Sequence, residues 1–319
     1  MSVRVRPFAD RDHNAFARVR STGEGEPTTP EQSRERDALW DRSRYERVRV
    51  VAVDEEDAPL GYGEIYQEPT RFDPRRYYVR LAVDLRMRRR GTGDALWRQL
   101  RAELGERGAL GAYAWARDAT AGASFLTKRG FREVVRWYTQ VRAVMTAPLP
   151  TPALDERLSR AGIRVATLAE VARAEPTALE HAHAVYFASR LDQATLGRVT
   201  PTPFADWKRA QFDGDGTTME GYFVAIADGH IVGQTTARRS RAEDVLDIGV
   251  TGVLPSFRRR GIARALKLRL HAYARANGYR ELHTRTAREN PAMVALNDAL
   301  GYVIIESIAG YELAIPSSP

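Results

Sequence analysis

An internal repeat constrains the fold of this chain more than any other feature. Val83–Leu96 matches Val253–Leu266 at an offset of 170 residues without a gap. Between Leu81 and Gly108, ten residues are identical to their partners 170 positions later. A repeat of this length is a domain, whereas solenoid repeats span roughly 20–50 residues. We therefore expect two copies of one fold.

Further matches extend the repeat to both sides. Gly130-Phe131 corresponds to Gly301-Tyr302, and Gly61-Tyr-Gly63 corresponds to Val232-Gly233. A proline-rich stretch at 146–152 disfavours helix and strand alike and marks the seam between the copies. The sequence predicts an N-terminal domain over residues 1–147 and a C-terminal domain over 148–319.

The composition is that of a globular protein. The 319 residues are enough for two domains with cores of their own. No apolar run approaches the roughly 18 residues of a membrane span, and no apolar stretch follows the first charges, so we expect no signal peptide and a soluble, cytoplasmic protein. Without cysteine the chain has no disulfide and no thiol nucleophile. Because its six histidines are scattered, we expect no metal site.

The charge of the chain is strongly positive. The net charge is +8, and only three of the 49 basic residues are lysines. Arginine in place of lysine is typical of a GC-rich genome. The same excess would also attract nucleic acid or a polyanionic ligand such as CoA.

The second copy shows its elements most clearly, and they predict an α/β (α+β) fold with a mixed, mostly antiparallel, twisted sheet flanked by helices. The predicted strands cover 162–168, 221–227, 231–237, 245–253, 281–286 and 303–315, and the predicted helices cover 170–191 with a break near Pro176, a helix from Ile262, and 291–300.

The loop before the helix at Ile262 has the features of an anion site. It reads Arg258-Arg-Arg-Gly261-Ile-Ala263 and follows a strand that ends at Val253. The first turn of a helix leaves N–H groups unpaired, and the helix dipole adds positive potential there. Gly261 lets the backbone approach a bulky ligand, and the arginines strengthen the field. A pyrophosphate fits such a site.

This loop resembles the signature of the GNAT family, the GCN5-related N-acetyltransferases, in which Gln or Arg precedes x-x-Gly-x-Gly/Ala. The chain has it twice, as Arg88-x-x-Gly91-x-Gly93 and as Arg258-x-x-Gly261-x-Ala263. The chain is identified as a tandem member, organised like the mycothiol synthases. The resemblance implies acetyl-CoA between the fourth and fifth strands of each copy, with an N–H near Val253 polarising the acetyl carbonyl.

The resemblance also implies which residues contact acetyl-CoA. They are Thr251, Gly252, Val253, Arg258, Arg259, Arg260, Gly261, Ile262, Ala263 and Asn290 in the second copy, and Val83, Arg88, Arg89, Arg90, Gly91, Thr92 and Gly93 in the first.

Two residues are predicted to be catalytic. Asn297 stands where many relatives have a tyrosine that serves the leaving thiolate, and an amide could stabilise the thiolate without protonating it. Asn290 lies seven residues earlier on the same helix face, although simple helix capping would equally explain it. The predicted general base is Asp247, six residues before Val253 and so expected on the same face of the strand. Glu243 or a chain of water molecules are the alternatives.

The first copy lacks several of these groups. Leu126 occupies the position of Asn297, and the stretch before the first loop has no Thr-Gly and no proline. We expect a catalytic C-terminal domain and a degenerate N-terminal domain that can still bind CoA.

The predicted function is acetyl-CoA-dependent N-acetylation of a small primary amine by direct transfer, because no residues for a covalent acyl-enzyme are present. The alternatives are a CoA-binding regulatory protein, a nucleic-acid-binding protein, and an aminoacyl-tRNA-dependent transferase. The intact phosphate signatures disfavour the last, because that branch does not use CoA. We expect the amine to be selected between about His181 and Thr218. The chain should be a monomer with an internal pseudo-dimer, or a homodimer, with neither nucleic acid nor membrane as partner.

Overall fold

The computed structural model describes residues 2–24, 28–213, 216–240 and 242–316. The strands in this part of the chain are β1 (Arg4–Pro7), β2 (Arg47–Val53), β3 (Pro59–Tyr66), β4 (Arg76–Val83), β5 (Gly111–Arg117), β6 (Arg132–Ala143), β7 (Ile163–Thr167), β8 (Tyr222–Ala227), β9 (His230–Arg239), β10 (Val245–Ile248), β11 (Gly252–Val253), β12 (Glu281–Ala287) and β13 (Val303–Ala314). The α-helices are α1 (His13–Val19), α2 (Pro30–Ala38), α3 (Thr92–Glu106), α4 (Ala121–Thr127), α5 (Pro152–Arg160), α6 (Leu168–Ala174), α7 (Ala178–Leu191), α8 (Phe204–Phe212), α9 (Ile262–Ala276) and α10 (Pro291–Ala299). None of the helices in the described ranges is long and apolar enough to cross a membrane.

The chain forms two compact units. Unit 1 comprises Met1–Val134, Leu196–Thr200 and Gly310–Pro319, and unit 2 comprises Val135–Thr195 and Pro201–Ala309. Most of β6, the last strand of the first repeat, is therefore counted with unit 2. The second half of β13, the last strand of the second repeat, is counted with unit 1. Each unit draws its closing strand from the other copy of the repeat.

Unit 1 is a sheet with helices on both faces. Its strands follow the order β1-β2-β3-β4-β5, antiparallel up to β4 and parallel between β4 and β5. The segment after Gly310 lies beside β5, where Ile315 N donates to Leu110 O at 2.9 Å. Helix α3 packs on one face, since a Cβ on Gly63 would lie 2.9 Å from Leu100.

Unit 2 repeats this arrangement. Its strand order is β6-β12-β10-β9-β8-β7, with β10 and β12 parallel and β11 paired to β9. One face of the sheet packs on the apolar side of α9 through Leu266 and Leu270. The other face packs on α7, where Ala182 and Val185 lie against residues of β8.

The predicted fold class is confirmed, and the elements that were predicted for the second copy occur in the expected order. One predicted strand, 245–253, is instead two short strands, because Gly249–Thr251 forms a bulge between β10 and β11. Two helices, α5 and α8, were not predicted. Helix α5 begins at Pro152, at the first helical position, where a missing N–H costs nothing.

Candidate active site

The sheet of unit 2 opens where two parallel strands separate. β10 pairs with β12 from Val245↔Glu281 to Ile248↔Thr284. Beyond that point β12 continues to Ala287, whereas β11 pairs only with β9 in the described part of the chain. The first repeat has the same opening in unit 1, where β4 pairs with β5 only from Arg76–Tyr78 onto 111–113. Each unit therefore has an open strand edge at the place where the sequence predicted acetyl-CoA.

The bulge before β11 decides which side chains share a face. Asp247 pairs with Arg238, and Val253 pairs with Gly233, five residues earlier on β9. Residues an odd number apart on a strand point to opposite faces. The expectation that Asp247 and Val253 share a face is therefore wrong, because the bulge inserts one extra residue. Asp247 instead shares a face with Gly252, on the α7 side of the sheet.

Backbone groups at the opening point away from β9. Leu254 N donates to Val232 O at 2.9 Å. Since successive N–H groups of a strand alternate between its two edges, the N–H of Val253 is directed to the edge where β12 has separated. This is the direction that polarisation of a bound acetyl carbonyl requires.

The loop that follows has the same unusual backbone in both units. Gly261 and Gly91 have φ of +88° and +82°, and Arg259 and Arg89 have φ of +66° and +61°. Helix α9 begins directly after Gly261, and α3 begins directly after Gly91. Two left-handed positions, separated by one residue in each loop, bend the chain directly before the first turn of the helix, where an anion site lies.

The first arginine of each signature is bound to the strand that precedes it. Arg258 Nε donates to Val253 O at 3.0 Å, and Arg88 Nε donates to Val83 O at 3.4 Å. Arg258 also forms an ion pair with Asp192. These arginines hold the shape of the loop.

Two neighbours of this site were missed by the sequence reasoning. A Cβ on Gly261 would overlap Arg157 Nη2 from α5, so Arg157 places an additional guanidinium at the loop. A Cβ on Gly252 would overlap Ser189 Oγ from α7, so this helix lies directly on β11. Neither residue belongs to a recognisable motif. Only the proximity of α5 and α7 reveals them.

The two asparagines have different environments. Asn290 accepts a hydrogen bond from Met293 N at 3.2 Å and so caps α10. Asn297 is fully buried and donates both amide hydrogens, to Gln140 Oε1 at 2.7 Å and to Thr286 Oγ1 at 2.9 Å. In this arrangement Asn297 has no N–H left to offer a thiolate.

Titratable groups are buried on the inner side of α9. Lys267 is 1% exposed, and burial lowers its pKa to about 7. Its Nζ lies 5.1 Å from the centre of the Tyr302 ring. His271, one turn later, contacts Tyr302 Oη through Nε2 at 2.9 Å and Pro148 O through Nδ1 at 2.8 Å. Burial lowers the pKa of His271 to about 4, so it is neutral at physiological pH.

Comparison with known families agrees with this geometry. The model of the family described as "Acetyltransferase (GNAT) family" matches residues 16–131 and again residues 183–302. The chain belongs to the GNAT family. It is therefore an acetyltransferase with two GNAT regions, and the family implies acetyl-CoA as the acetyl donor.

Both curated proteins and solved structures resemble this chain over most of its length. A mycothiol acetyltransferase of Salinispora arenicola is 29% identical over 240 residues, which cover 73% of this chain and 72% of the relative. One from Thermobispora bispora is 30% identical over 219 residues, covering 66% and 68%. Among solved structures, a GCN5-related N-acetyltransferase from Sphaerobacter thermophilus superposes with a TM-score of 0.70 at 19% identity, covering 99% of this chain and 97% of that one. A tandem GNAT protein from the clavulanic acid biosynthesis pathway gives 0.68 at 17% identity, covering 99% and 100%.

Proposed function

We propose that this chain transfers the acetyl group of acetyl-CoA directly to a primary amine of a small molecule, and that unit 2 carries the reaction. The observation that supports this most is the open edge of β11, which lies immediately before the loop at Gly261. The pyrophosphate would bind at the start of α9, with Arg157 and Arg259 nearby. The pantetheine arm would pair with the backbone of Thr251–Val253.

The chemistry follows from these positions. The nitrogen of the amine attacks the thioester carbonyl carbon, and the N–H of Val253 donates to the oxygen as negative charge develops on it. The carbon–sulfur bond then breaks and CoA leaves as a thiolate. The nitrogen loses one proton, which a base must accept.

Asp247 is the base that we propose. It lies on the α7 face, the face that Ser189 and Gly252 share, so its side chain is on the side from which an amine could approach between α7 and β11. Glu243, in the exposed turn before β10, or a chain of water molecules remain the alternatives.

Unit 1 is proposed to bind acetyl-CoA without turning it over. Its face opposite α3 is occupied beside β4 and β5 by the segment Leu196–Thr200. Leu196 is fully buried, and its carbonyl accepts a hydrogen bond from Tyr78 Oη at 2.7 Å. Gly197 packs against the ring of Tyr113. These contacts fill the space where an amine would otherwise enter.

The relatives that are named mycothiol acetyltransferases support a small molecule as the acceptor. The region predicted to select the amine, 181–218, contributes α7 and α8 to unit 2 and the segment 196–200 to unit 1. Residues 214–215 of that region lie outside the described residues. A panel of primary amines, assayed by release of the CoA thiol, would identify the substrate.

The test uses glutamate at each phosphate loop. Gly261→Glu would place a carboxylate at the phosphate site, and we expect turnover to fall at least 100-fold. Gly91→Glu should remove one bound acetyl-CoA and leave turnover within about threefold. Gly278→Glu and Gly108→Glu are the matched controls, because both glycines have positive φ and open surroundings but lie at the far ends of α9 and α3.

Each outcome assigns a role. If turnover is lost only in Gly91→Glu, the reaction takes place in unit 1 and not in unit 2. Saturable acetyl-CoA binding, abolished by both variants, without thiol release on any amine would favour a CoA-binding regulatory protein. Equal losses in the control variants would show that glutamate at a positive φ, rather than at the phosphate site, causes the effect.

A further inference from the structure

A histidine, His283, lies beside the opening in the sheet of unit 2. It belongs to β12 and pairs with Asp247 on β10, one residue pair before the last pair of these two strands, Ile248↔Thr284. Beyond that pair the strands separate. A pantetheine arm that runs from the loop at Gly261 along β11 would direct its thioester end toward this point. His283 is therefore a neighbour of the proposed base at the reacting end of the opening.

Asp247 and His283 are on the same face of the sheet. Their neighbours Leu246 and Leu282 belong to the apolar core that packs on α9. Because successive side chains of a strand alternate between faces, Asp247 and His283 point to the opposite face, from which we propose that the amine approaches. Neighbouring strands lie about 4.8 Å apart, so an amine nitrogen between the two side chains could donate a hydrogen bond to each of them.

A hydrogen bond to Glu281 orients the imidazole ring. His283 Nε2 lies 2.9 Å from Glu281 Oε2, and the two residues share one face of β12. A carboxylate accepts hydrogen bonds, so Nε2 carries the proton and Nδ1 of the neutral ring has the lone pair. Among the described residues Nδ1 has no hydrogen-bond partner, and the side chain is 26% exposed. His283 can therefore accept a proton from a small molecule.

The charged residues around His283 come from its own strand and from β9 and β10. On the same face they are Glu281, Arg285, Asp247 and Arg238. At the end away from the opening, Asp244 and Arg280 lie 3.8 Å apart as an ion pair, and on the other side of β12 the neighbour is Val141, which does not titrate. Asp247 has neither a hydrogen bond nor an ion pair within the described ranges. Of these residue types, only histidine ordinarily exchanges a proton near neutral pH.

An amine has two protons to lose if it reacts near neutral pH. A primary amine with a pKa near that of a lysine side chain, about 10.4, is neutral in only about one molecule in a thousand at pH 7.5. The ammonium ion must lose one proton to free the lone pair that attacks the thioester. The nitrogen loses a second proton as the amide forms. A single carboxylate accounts for only one of these protons.

We propose that His283 accepts the first proton, an inference that rests on the proposed function of unit 2. The ammonium ion binds between Asp247 and His283, and its N–H bond breaks as Nδ1 takes the proton. The freed lone pair attacks the acetyl carbon, the carbon–sulfur bond breaks with its electron pair on sulfur, and Asp247 accepts the second proton. Glu281 is a positioning residue that stabilises the imidazolium. Both protons then pass to water.

Two amines of nearly equal size separate the two protons. At pH 7.5 ethylamine is an ammonium ion, whereas methoxyamine, in which oxygen replaces one CH2 group, is already neutral. His283→Ala should lower kcat/KM for ethylamine at least 30-fold and for methoxyamine less than threefold, measured by release of the CoA thiol. Asp247→Asn should slow both amines at least tenfold, because both nitrogens lose a proton as the amide forms. His230→Ala is the matched control, because His230 is exposed at the start of β9 and should leave both rates unchanged.

Chemical rescue distinguishes proton transfer from a structural role. Imidazole at 50 mM should raise the ethylamine rate of His283→Ala at least fivefold and should not change the rate of the unsubstituted protein. The loss should also shrink as the pH rises toward the pKa of ethylamine, because the neutral amine then forms in solution. An unchanged Kd for acetyl-CoA and an unchanged circular dichroism spectrum verify that the variant is folded.

The tautomer of His283 can be measured without any amine. The ¹⁵N chemical shifts of the ring nitrogens in histidine-labelled protein, assigned with His283→Gln, should place the proton on Nε2 and the lone pair on Nδ1 above pH 8. Glu281→Ala should mix the two tautomers, because it removes the acceptor of the Nε2 proton.

Three results would overturn the proposal. They are equal losses with ethylamine and methoxyamine in His283→Ala, no rescue by imidazole, and a proton on Nδ1 above pH 8. If the unsubstituted protein releases thiol with no amine at all, the proposed function fails instead. If only larger amines react, imidazole rescue with the fastest of them and the tautomer still decide.

Discussion

Replacing Lys267 with methionine should stabilise the protein, because the folded chain buries this ammonium group without a counter-ion. Its Nζ contacts the ring of Tyr302, and no carboxylate pairs with it in the described part of the chain. Methionine has a similar length and no charge, so it should fill the same space. The equivalent position of the first repeat is Trp97, which packs on Phe131 as Lys267 packs on Tyr302.

The size of the effect follows from the pKa. Burial lowers the pKa of Lys267 from 10.5 to about 7. Each unit of this difference corresponds to about 1.4 kcal/mol, so the buried ammonium group lowers the free energy of unfolding by about 4 kcal/mol at pH 7 and by about 2 kcal/mol at pH 9. The unfolded chain binds more protons at Lys267 than the folded chain between these pKa values, so the contribution of Lys267 to stability becomes less unfavourable as the pH rises from 7 to 9. Between pH 7 and pH 9 His271 stays neutral in the folded chain, and Tyr302 is protonated in the folded chain and largely so in the unfolded chain, so neither contributes much in this range.

The assay is urea-dependent hydrogen exchange of α9 peptides at pH 7 and pH 9, which reports the free energy of opening in unit 2. The free energy of opening should be about 4 kcal/mol higher in Lys267→Met than in the unsubstituted protein at pH 7. This difference should be about half as large at pH 9. Lys208→Met, on the exposed side of α8, is the matched control and should change little. No gain at pH 7, or a gap independent of pH, would refute the reasoning.

Four further predictions concern the acetyl-transfer site. Acetyl-CoA at 100 times its Kd should stabilise the folded chain by about 2.7 kcal/mol, seen as a higher Tm, and no shift at millimolar acetyl-CoA would contradict binding. Asp247→Asn should lower kcat at least tenfold with little change in the Kd of acetyl-CoA, whereas unchanged kcat would indicate a water chain or Glu243 as the base. Asn297→Ala should lower the unfolding free energy by about 2 kcal/mol and leave kcat within about twofold, and a larger fall in kcat would restore its predicted role at the thiolate. Gly252→Ala should cost about 1–3 kcal/mol of stability through overlap with Ser189, and Ser189→Gly should recover part of that loss; simple additivity of the two changes would argue against the contact.

The sequence predicted those features that depend on short stretches of chain. The loops at Gly91 and Gly261 predict the start of a helix directly after the glycine, and the structure has that helix start in both units. The repeat offset predicted that the two folds would correspond. Such features are local, since neighbouring residues determine the backbone conformation and the capping of the helix that follows.

Features that depend on pairing between distant segments were not predictable. The alternation of side chains along a regular strand predicted that Asp247 and Val253 lie on the same face. The bulge at Gly249–Thr251 places them on opposite faces. No residue type in that stretch requires a bulge. Arg157 lies about a hundred residues before the loop it approaches. The burial of Lys267 was also unexpected, because lysine is rarely buried without a partner.

The exchanged closing strands have a consequence for synthesis of the chain. Unit 1 includes residues 1–134 but also the strand segment after Gly310, so it is incomplete when its first 134 residues have left the ribosome. At about 5–20 residues per second, translation of the intervening stretch takes roughly 9–35 s. During that interval one edge of β5 has no neighbour and could pair with another nascent chain. Folding of unit 1 is therefore expected to finish only after the strand segment that follows Gly310 has been synthesised, and a fragment ending at the seam near residue 147 should be prone to aggregation.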